Sequence, residues 1–393
     1  MVSLLLALAL VATACGDDDA APPTTTTTTT TIESTTTTVD PGDGPDDGEP
    51  PGDGSEPGGS DAVWPVPDWQ RVDPDAAGVD AATLDQLATM AESAGSDCLV
   101  VTRDGRLVGE WYWNDTGPDS EREAFSVTKS ITATLVGIAQ DQGHLDIDQP
   151  ASDFIDEWIG TPSEEVTIRN LLSNDSGRFH SPESDYAQMA FAEPDKTAYA
   201  LGLGQAHEPG TVWVYNNAAI QVLEAVLERA TGTGVGDFAE EHLFEPLGMD
   251  TTISTDQAGN TLTFMGAQMS CRDLARFGLL NLRRGEWDGE QIVSAAFVDE
   301  ATRPSTELND GYGHLWWLYG THPDDAAGAG SDRDGSAAGE SYAYAALGLG
   351  GQFMVVVPEH DLVVSRLVQP QSDGGGSGVS EILPILWDDL VLD

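Results

Sequence analysis

The sequence predicts an α/β protein of the α+β type: an antiparallel sheet flanked by helices and joined to a mostly helical lobe. Three observations carry this expectation. A two-strand signal stands near the start of the patterned region, three strand signals follow one another near its end, and the stretches between repeat apolar residues at helical spacing. Strands from both ends then share one sheet, with the helical part inserted between them. A cleft between two such lobes is the default place for chemistry.

Taken in order, DAATLDQLATMAESA, from Asp80 to Ala94, sets Leu84, Leu87 and Met90 on one helical face, with Asp80 as the N-cap. DCLVVTRDGRLVGEWYW reads as two strands around Asp104-Gly105, a hairpin signal. Helical patterns cover Ser130 to Gln140, Ala218 to Ala230 and Arg272 to Arg283, separated by Gly and Pro. SYAYAALG, GQFMVVVP and DLVVSRLV are the closing strands, and SEILPILWDDLVL ends as a helix despite Pro384.

Composition divides the 393 residues into three parts. Residues 1–14 hold an apolar run too short to span a bilayer, the form of a secretory signal, and small residues lead from it to Cys15. Residues 15–61 are a Thr run followed by Pro, Gly, Asp and Glu. They have too little apolar surface to offset the entropy of ordering, and read as a disordered tether. Residues 62–393 keep a regular apolar pattern and form the folded domain.

Against 67 Asp and Glu stand only 16 Lys and Arg, a formal net charge of −51. Such a field repels polyanions, which excludes nucleic acid as a partner and disfavours anionic substrates. Beyond Cys15 only Cys98 and Cys271 remain, and whether they pair is left open. With no CxxC and no His pair at ligand spacing, neither a metal nor an organic cofactor is expected.

The chemistry is concentrated in FSVTKS. Lys129 is one of only two lysines, the other being Lys196, and it follows Ser126 by three residues at the start of a helix whose apolar face carries Ile131, Leu135 and Ile138. That spacing puts serine and lysine on one side. An ammonium at the positive end of a helix, partly desolvated, loses its preference for the charged form, and a neutral lysine is a competent base for a serine hydroxyl. A lysine with no task would be avoided there, because burying its charge is costly. No G-x-S-x-G elbow competes for the role.

Two resemblances extend this reading. ATAC, ending at Cys15, resembles the lipobox of bacterial lipoproteins, with Ala12 where that motif prefers Leu. It implies a lipidated Cys15 and an exported protein anchored at the outer face of the cell membrane. The folded region, roughly Asp80 to Val391, resembles the serine β-lactamase and penicillin-recognising superfamily, class C-like, in its esterase and 6-aminohexanoate-oligomer hydrolase branch. Five blocks carry it in order: FSVTKSITATLVGIAQDQGHLDIDQP, IRNLLSNDSGR, PGTVWVYNNAAIQVLEAVLE, DLARFGLLNLRRGEWDGEQIV and LGLGGQFMVVVPEHDLVV. The resemblance implies a β-lactamase/transpeptidase-like fold, an acylated Ser126 with Lys129 as partner, and Tyr215 and Asn217 lining the same cleft. Tyr215 would share proton transfer, and Asn217 would orient the substrate carbonyl or Lys129.

The third family motif departs from its usual form. Where β-lactamases and D,D-peptidases carry Lys-Thr-Gly, this chain aligns Ala346-Leu347-Gly348, read as part of an edge strand whose glycine lets the backbone approach the acyl group. The N–H of Leu349, or of Gly351 under a two-residue slip, would join that of Ser126 in an oxyanion hole. Loss of the cation disfavours substrates bearing a carboxylate, so a small neutral or cationic ester or amide is expected. A D,D-peptidase or β-lactamase and a catalytically silent, surface-tethered binding protein are the rival readings. Tyr186 and the pair Trp316-Trp317 are candidates for the border of the acyl pocket, weighed against aromatic packing of a loop on the core. Asp175 and Ser176 are expected to shape a turn.

Overall fold

The structure, a computed structural model, describes residues 62–320 and 342–369. The expected signal, Cys15, the tether and the closing helix lie outside the described residues. Strands β1 (Cys98–Arg103) and β2 (Arg106–Tyr112) form the expected hairpin. Asp104 and Gly105 at its turn both take positive φ, 51° and 69°, the backbone a two-residue turn of this hand requires. Toward the other end lie β3 (Trp317–Tyr319), β4 (Ala343–Gly348), β5 (Gln352–Val357) and β6 (Leu362–Leu367). The six pair antiparallel in the order β2-β1-β6-β5-β4-β3. The chain's two halves therefore meet at β1 and β6, where Cys98 stands opposite Leu367.

Alternation along the strands sorts side chains to two cores. Leu99, Val101, Phe353, Val355 and Val364 face helix α1 (Ala81–Ser93) and pack on its Leu84, Leu87 and Ala91. Val100, Met354, Val356 and Val363 face the large helical side. With both faces covered, the closing strands read as continuous apolar runs. Asp80 caps α1 by accepting the Thr83 N–H at 2.7 Å. Ala91, with Leu84, Leu87 and Ala88, completes the buried face, while Met90 is only half-buried.

The helical side contains α2 (Thr128–Asp141), α3 (Lys196–Gly202), α4 (Asn217–Thr231) and α5 (Cys271–Leu282). The three helices expected from periodicity are present with ends shifted by one or two residues. α2 was expected to bury one face but is buried on every side from Thr128 to Ala139. Its polar groups are consequently bonded: Ser130 donates to Leu315 O at 2.7 Å and Thr132 to Thr263 O at 2.8 Å. α5 lies on the sheet, and Gly278 sets the distance between them. A Cβ there would stand 2.5 Å from Val363 Cγ1 and 3.0 Å from Met354 Sδ.

β4 is second from the edge of the sheet rather than its edge strand. β3, the true edge, pairs only with Ala343 to Ala345, so Ala346-Leu347-Gly348 runs on past it. The open question of the cysteines is resolved as well: Cys98 and Cys271 form a disulfide with Cα atoms 6.2 Å apart, tying β1 to the first residue of α5 across 173 positions of sequence. Replacing both cysteines by alanine is expected to lower unfolding stability by about 2–5 kcal/mol, measured by urea denaturation. Equal stability of the variant and the parent would show that the crosslink constrains little.

Candidate active site

Ser126 lies in a short 3-10 turn, Phe125–Val127, that runs directly into α2. The preceding residue, Phe125, has φ of 49°, a left-handed conformation that costs a bulky side chain about 1–3 kcal/mol. A clamp holds it there. Thr128 Oγ1 donates to Phe125 O at 2.6 Å while accepting the Ala267 N–H at 3.0 Å, and Ala124 N–H donates to Ala267 O at 2.8 Å. The Ala267–Met269 strand thus grips the turn on both sides of Phe125, leaving Ser126 half-buried.

Lys129, one helical turn on, is 1% exposed. Its Nζ lies 2.9 Å from Ser126 Oγ and 2.7 Å from Phe264 O, and 4.9 Å from the centre of the Tyr215 ring. Burial strips the ammonium of hydration and brings its pKa down from 10.5 to about 7, with Asp185 acting in the opposite sense. The neutral amine is then accessible to Lys129 around neutral pH. In that form Nζ can accept the Ser126 proton while still donating to Phe264 O.

Tyr215 stands just before α4, whose N-cap is Asn216: its side chain accepts the Ala219 N–H at 3.0 Å. Burial pushes the Tyr215 phenol well above its ordinary pKa, the nearby Ser126 hydroxyl working against that shift. It therefore stays protonated and is suited to pass a proton rather than to act as the resting base. Its ring stacks on Trp317 with centroids 5.8 Å apart, and Tyr312 packs edge-on against both. The tryptophan pair thus divides. Trp317 joins the site, while Trp316 is buried against Phe277.

Asn217 is buried at the first position of α4, and its Nδ2 donates to Asp185 Oδ2 at 2.7 Å. That N–H is held by a carboxylate within the protein, where the sequence reading gave the amide to substrate or Lys129. Tyr186 adjoins Asp185 on a wide, π-type helical stretch, Glu183–Ala192, and is half-buried near enough to Tyr215 to influence its phenol. Such helices are rare and recur beside functional sites. Asp185 and the Phe264 carbonyl are the two participants that the sequence reading missed. Neither has a local signal: one is an isolated aspartate and the other a backbone oxygen.

The end of β4 approaches the serine turn. A Cβ on Gly348 would lie 2.3 Å from Ala124 O, so this position admits only glycine, and the backbone it accommodates is the protein's own. Leu349 follows, 38% exposed. The turn beyond is fixed by three bonds: Gly351 N–H to Gly348 O at 3.2 Å, Gln352 Nε2 to Leu349 O at 3.2 Å, and the buried Arg366 to Gly351 O at 2.6 Å. The Gly351 N–H is thus engaged within its own turn. Asp175 and Ser176, expected to shape a turn, instead tie their loop to a distant one, their carbonyls accepting from Gly210 N–H at 2.8 Å and Gln205 Nε2 at 2.6 Å. Among the described residues there is no cluster of His, Cys, Asp and Glu that would hold a metal ion.

An antiparallel sheet built from both chain ends, with a Ser-x-x-Lys turn beside a tyrosine and the end of a sheet strand, defines the penicillin-recognising class of serine hydrolases, in its class C-like form. The chain belongs to the beta-lactamase family, whose sequence profile matches residues 81–377. A relative, the 6-aminohexanoate-dimer hydrolase of Paenarthrobacter ureafaciens, is 24% identical over 278 residues, covering 64% of this chain and 71% of its own. Two solved structures share the fold. The octameric penicillin-binding protein homologue from Pyrococcus abyssi has a TM-score of 0.60 at 18% identity, covering 78% of this chain and 76% of its own. A family VIII carboxylesterase has a TM-score of 0.58 at 18% identity, covering 77% and 96%.

Gly348→Ala is expected to slow labelling of Ser126 by an acylating probe about 100-fold, since a misplacement near 1 Å is enough for such a loss. Helical circular dichroism should stay unchanged. An undiminished rate would show that the serine turn does not depend on this close approach.

Proposed function

We propose that the protein is an extracytoplasmic serine hydrolase that cleaves a small ester or amide through an acyl-enzyme on Ser126. The observation that carries this reading is the Ser126 hydroxyl 2.9 Å from the Nζ of a wholly buried lysine, whose hold on its proton burial weakens. Lys129 takes the proton as Ser126 Oγ bonds to the substrate carbonyl carbon. The oxyanion formed is held by the N–H groups of Ser126 and Leu349. The carbon–oxygen or carbon–nitrogen bond then breaks, and the proton passes from Lys129, through the Tyr215 hydroxyl, to the departing alcohol or amine. Water, deprotonated by the same pair, releases the acid and restores Ser126.

Several features narrow the substrate. Ala346-Leu347-Gly348 has no cation to hold a carboxylate, and the chain-wide negative charge opposes anions, so neutral or cationic substrates are preferred. Trp317 and Tyr215 offer an aromatic wall suited to an apolar acyl or leaving group. Similarity to a 6-aminohexanoate-dimer hydrolase and to a carboxylesterase fold is consistent with amide or ester cleavage. For location, a buried disulfide suits an oxidising compartment outside the cytoplasm. A lipid on Cys15 would anchor the enzyme at the outer face of the cell membrane.

Exposing the protein to a fluorophosphonate should add one adduct by intact mass, absent in Ser126→Ala; a folded protein that takes no adduct would return the binding-protein reading. Lys129→Ala should lower acylation about 10²–10⁴-fold while the protein remains folded. In the parent the acylation rate should climb as pH rises through about 7, where Lys129 loses its proton. A rate independent of pH across that range would refute the assigned base. Benzylpenicillin should leave no stoichiometric adduct, and its appearance would favour the D,D-peptidase or β-lactamase alternative.

A further inference from the structure

Gln221, in the second turn of α4, is wholly buried, and no step of the acyl transfer uses it. Its Nε2 donates to Thr261 O at 2.8 Å and to Thr197 Oγ1 at 3.0 Å, and its Oε1 accepts the Thr263 N–H at 3.0 Å. Thr197 Oγ1 in turn donates to Glu224 Oε2 at 2.8 Å, so this order of donors and acceptors leaves the amide one orientation. On the opposite side of the same segment, Leu262 N–H donates to Ser254 O at 3.0 Å and Thr261 forms a bridge with Thr255. The chain thus has a backbone partner along one side. Along the other, the Gln221 amide fills the place of a second strand, bonding the carbonyl and the N–H that such a strand would pair.

The segment held in this way carries the contacts that set the reacting groups. Directly after Thr263, Phe264 O accepts from Lys129 Nζ at 2.7 Å, and further on Ala267 grips the serine turn through Thr128 Oγ1 and the Ala124 N–H. Helix α2 meets the same run once more where Thr132 Oγ1 donates to Thr263 O at 2.8 Å, and Thr263 Oγ1 donates to Ile220 O of α4 at 3.1 Å. Thr263 therefore sits between α2 and α4, bonded to both. Lys129 Nζ ends a long, flexible stem, and its bond to Phe264 O fixes where it stands, with Ser126 Oγ 2.9 Å away. A shift of that carbonyl would carry Nζ off the serine.

We infer that Gln221 is a positioning residue for the proposed acyl transfer: its amide clamps Thr261 and Thr263, and thereby fixes the Phe264 carbonyl that holds Lys129 Nζ against Ser126 Oγ. The inference rests on reading Lys129 as the base for Ser126. It accounts for a buried amide whose hydrogen bonds all lie within the protein and meet one short run of backbone. Its effect falls on the chemical step rather than on substrate binding, because its path to the reacting atoms runs through Lys129.

The test compares the parent with Gln221→Met, which keeps the length of the side chain and removes its hydrogen bonds, in aryl-ester hydrolysis. The expected result is a fall in kcat of about 10- to 100-fold with KM within about twofold of the parent, the mark of an interaction lost from the chemical step. Lysine labelled with ¹³C at Cε is followed by NMR in parallel. The chain has only two lysines, and the signal of Lys129 is the one missing from Lys129→Ala. In Gln221→Met that signal should move or split. An unchanged kcat, or an unmoved Lys129 signal, would leave Gln221 a purely structural role and overturn the proposal. Ser152→Ala, which removes a bond from a buried hydroxyl to Glu164 O at 2.9 Å elsewhere in the fold, is expected to keep the parent's kcat. An equal loss there would make the effect one of general destabilisation and overturn the proposal too. If circular dichroism shows Gln221→Met unfolded, Gln221→Asn, whose shorter side chain cannot reach both Thr261 and Thr263, carries the same comparison. Should the parent show no Ser126 adduct, the hydrolase reading fails on its own, while the Lys129 signal still decides whether Gln221 holds the lysine in place.

Discussion

A lysine ammonium with almost no access to water is the constraint on which the site depends. Lys129 sits on a helix buried on every side, and that depth, more than its place in the first helical turn, is what lowers its affinity for a proton. The same depth would make an unassisted charge costly. Its surroundings are arranged accordingly: a backbone carbonyl at Phe264, the Ser126 hydroxyl and the face of the Tyr215 ring. Each offers the proton some stabilisation, and none holds it as a salt bridge would. In the proposed reaction, a lysine that keeps its proton this loosely is one that can exchange it.

Around this lysine the fold brings together segments that each contribute one thing. The Phe125–Val127 turn presents the serine and carries backbone strain, which persists because the Ala267–Met269 strand and Thr128 over-determine it. The start of α4 supplies Tyr215 and Asn217. The end of β4 closes against Ala124, and Arg366 and Gln352 brace the turn that follows. The disulfide joins β1 to α5, the helix lying on the sheet that carries β4. The rigidity of the scaffold and the geometry at Ser126 are thus linked through the same sheet.

Much of this was legible beforehand. Strand signals at both ends of the folded region pointed to a shared sheet, the Asp104-Gly105 pair to its first hairpin, and Asp80 to a cap, because each signal is local and concerns neighbours in sequence. Ser126 and Lys129 were legible for the same reason, one helical turn apart. Long-range relations were not. The division of Trp316 from Trp317 follows from which face of an edge residue meets the core. Asp185 reaches Asn217 across 32 positions, and Phe264 reaches Lys129 across 135. No periodicity encodes such meetings, and the two cysteines likewise gave no sign of their distance.

By itself, then, the sequence determined the class of fold and the Ser-x-x-Lys spacing that sets Ser126 and Lys129 side by side, since these depend on residue type and short spacing. Tertiary structure alone decided how deeply Lys129 is buried, which N–H of Asn217 is already engaged, and that Gly348 must yield to the backbone at Ala124. Those are properties of packing. The weakened hold of Lys129 on its proton arises from the removal of water, which is complete only once distant parts of the chain have closed around the same atom.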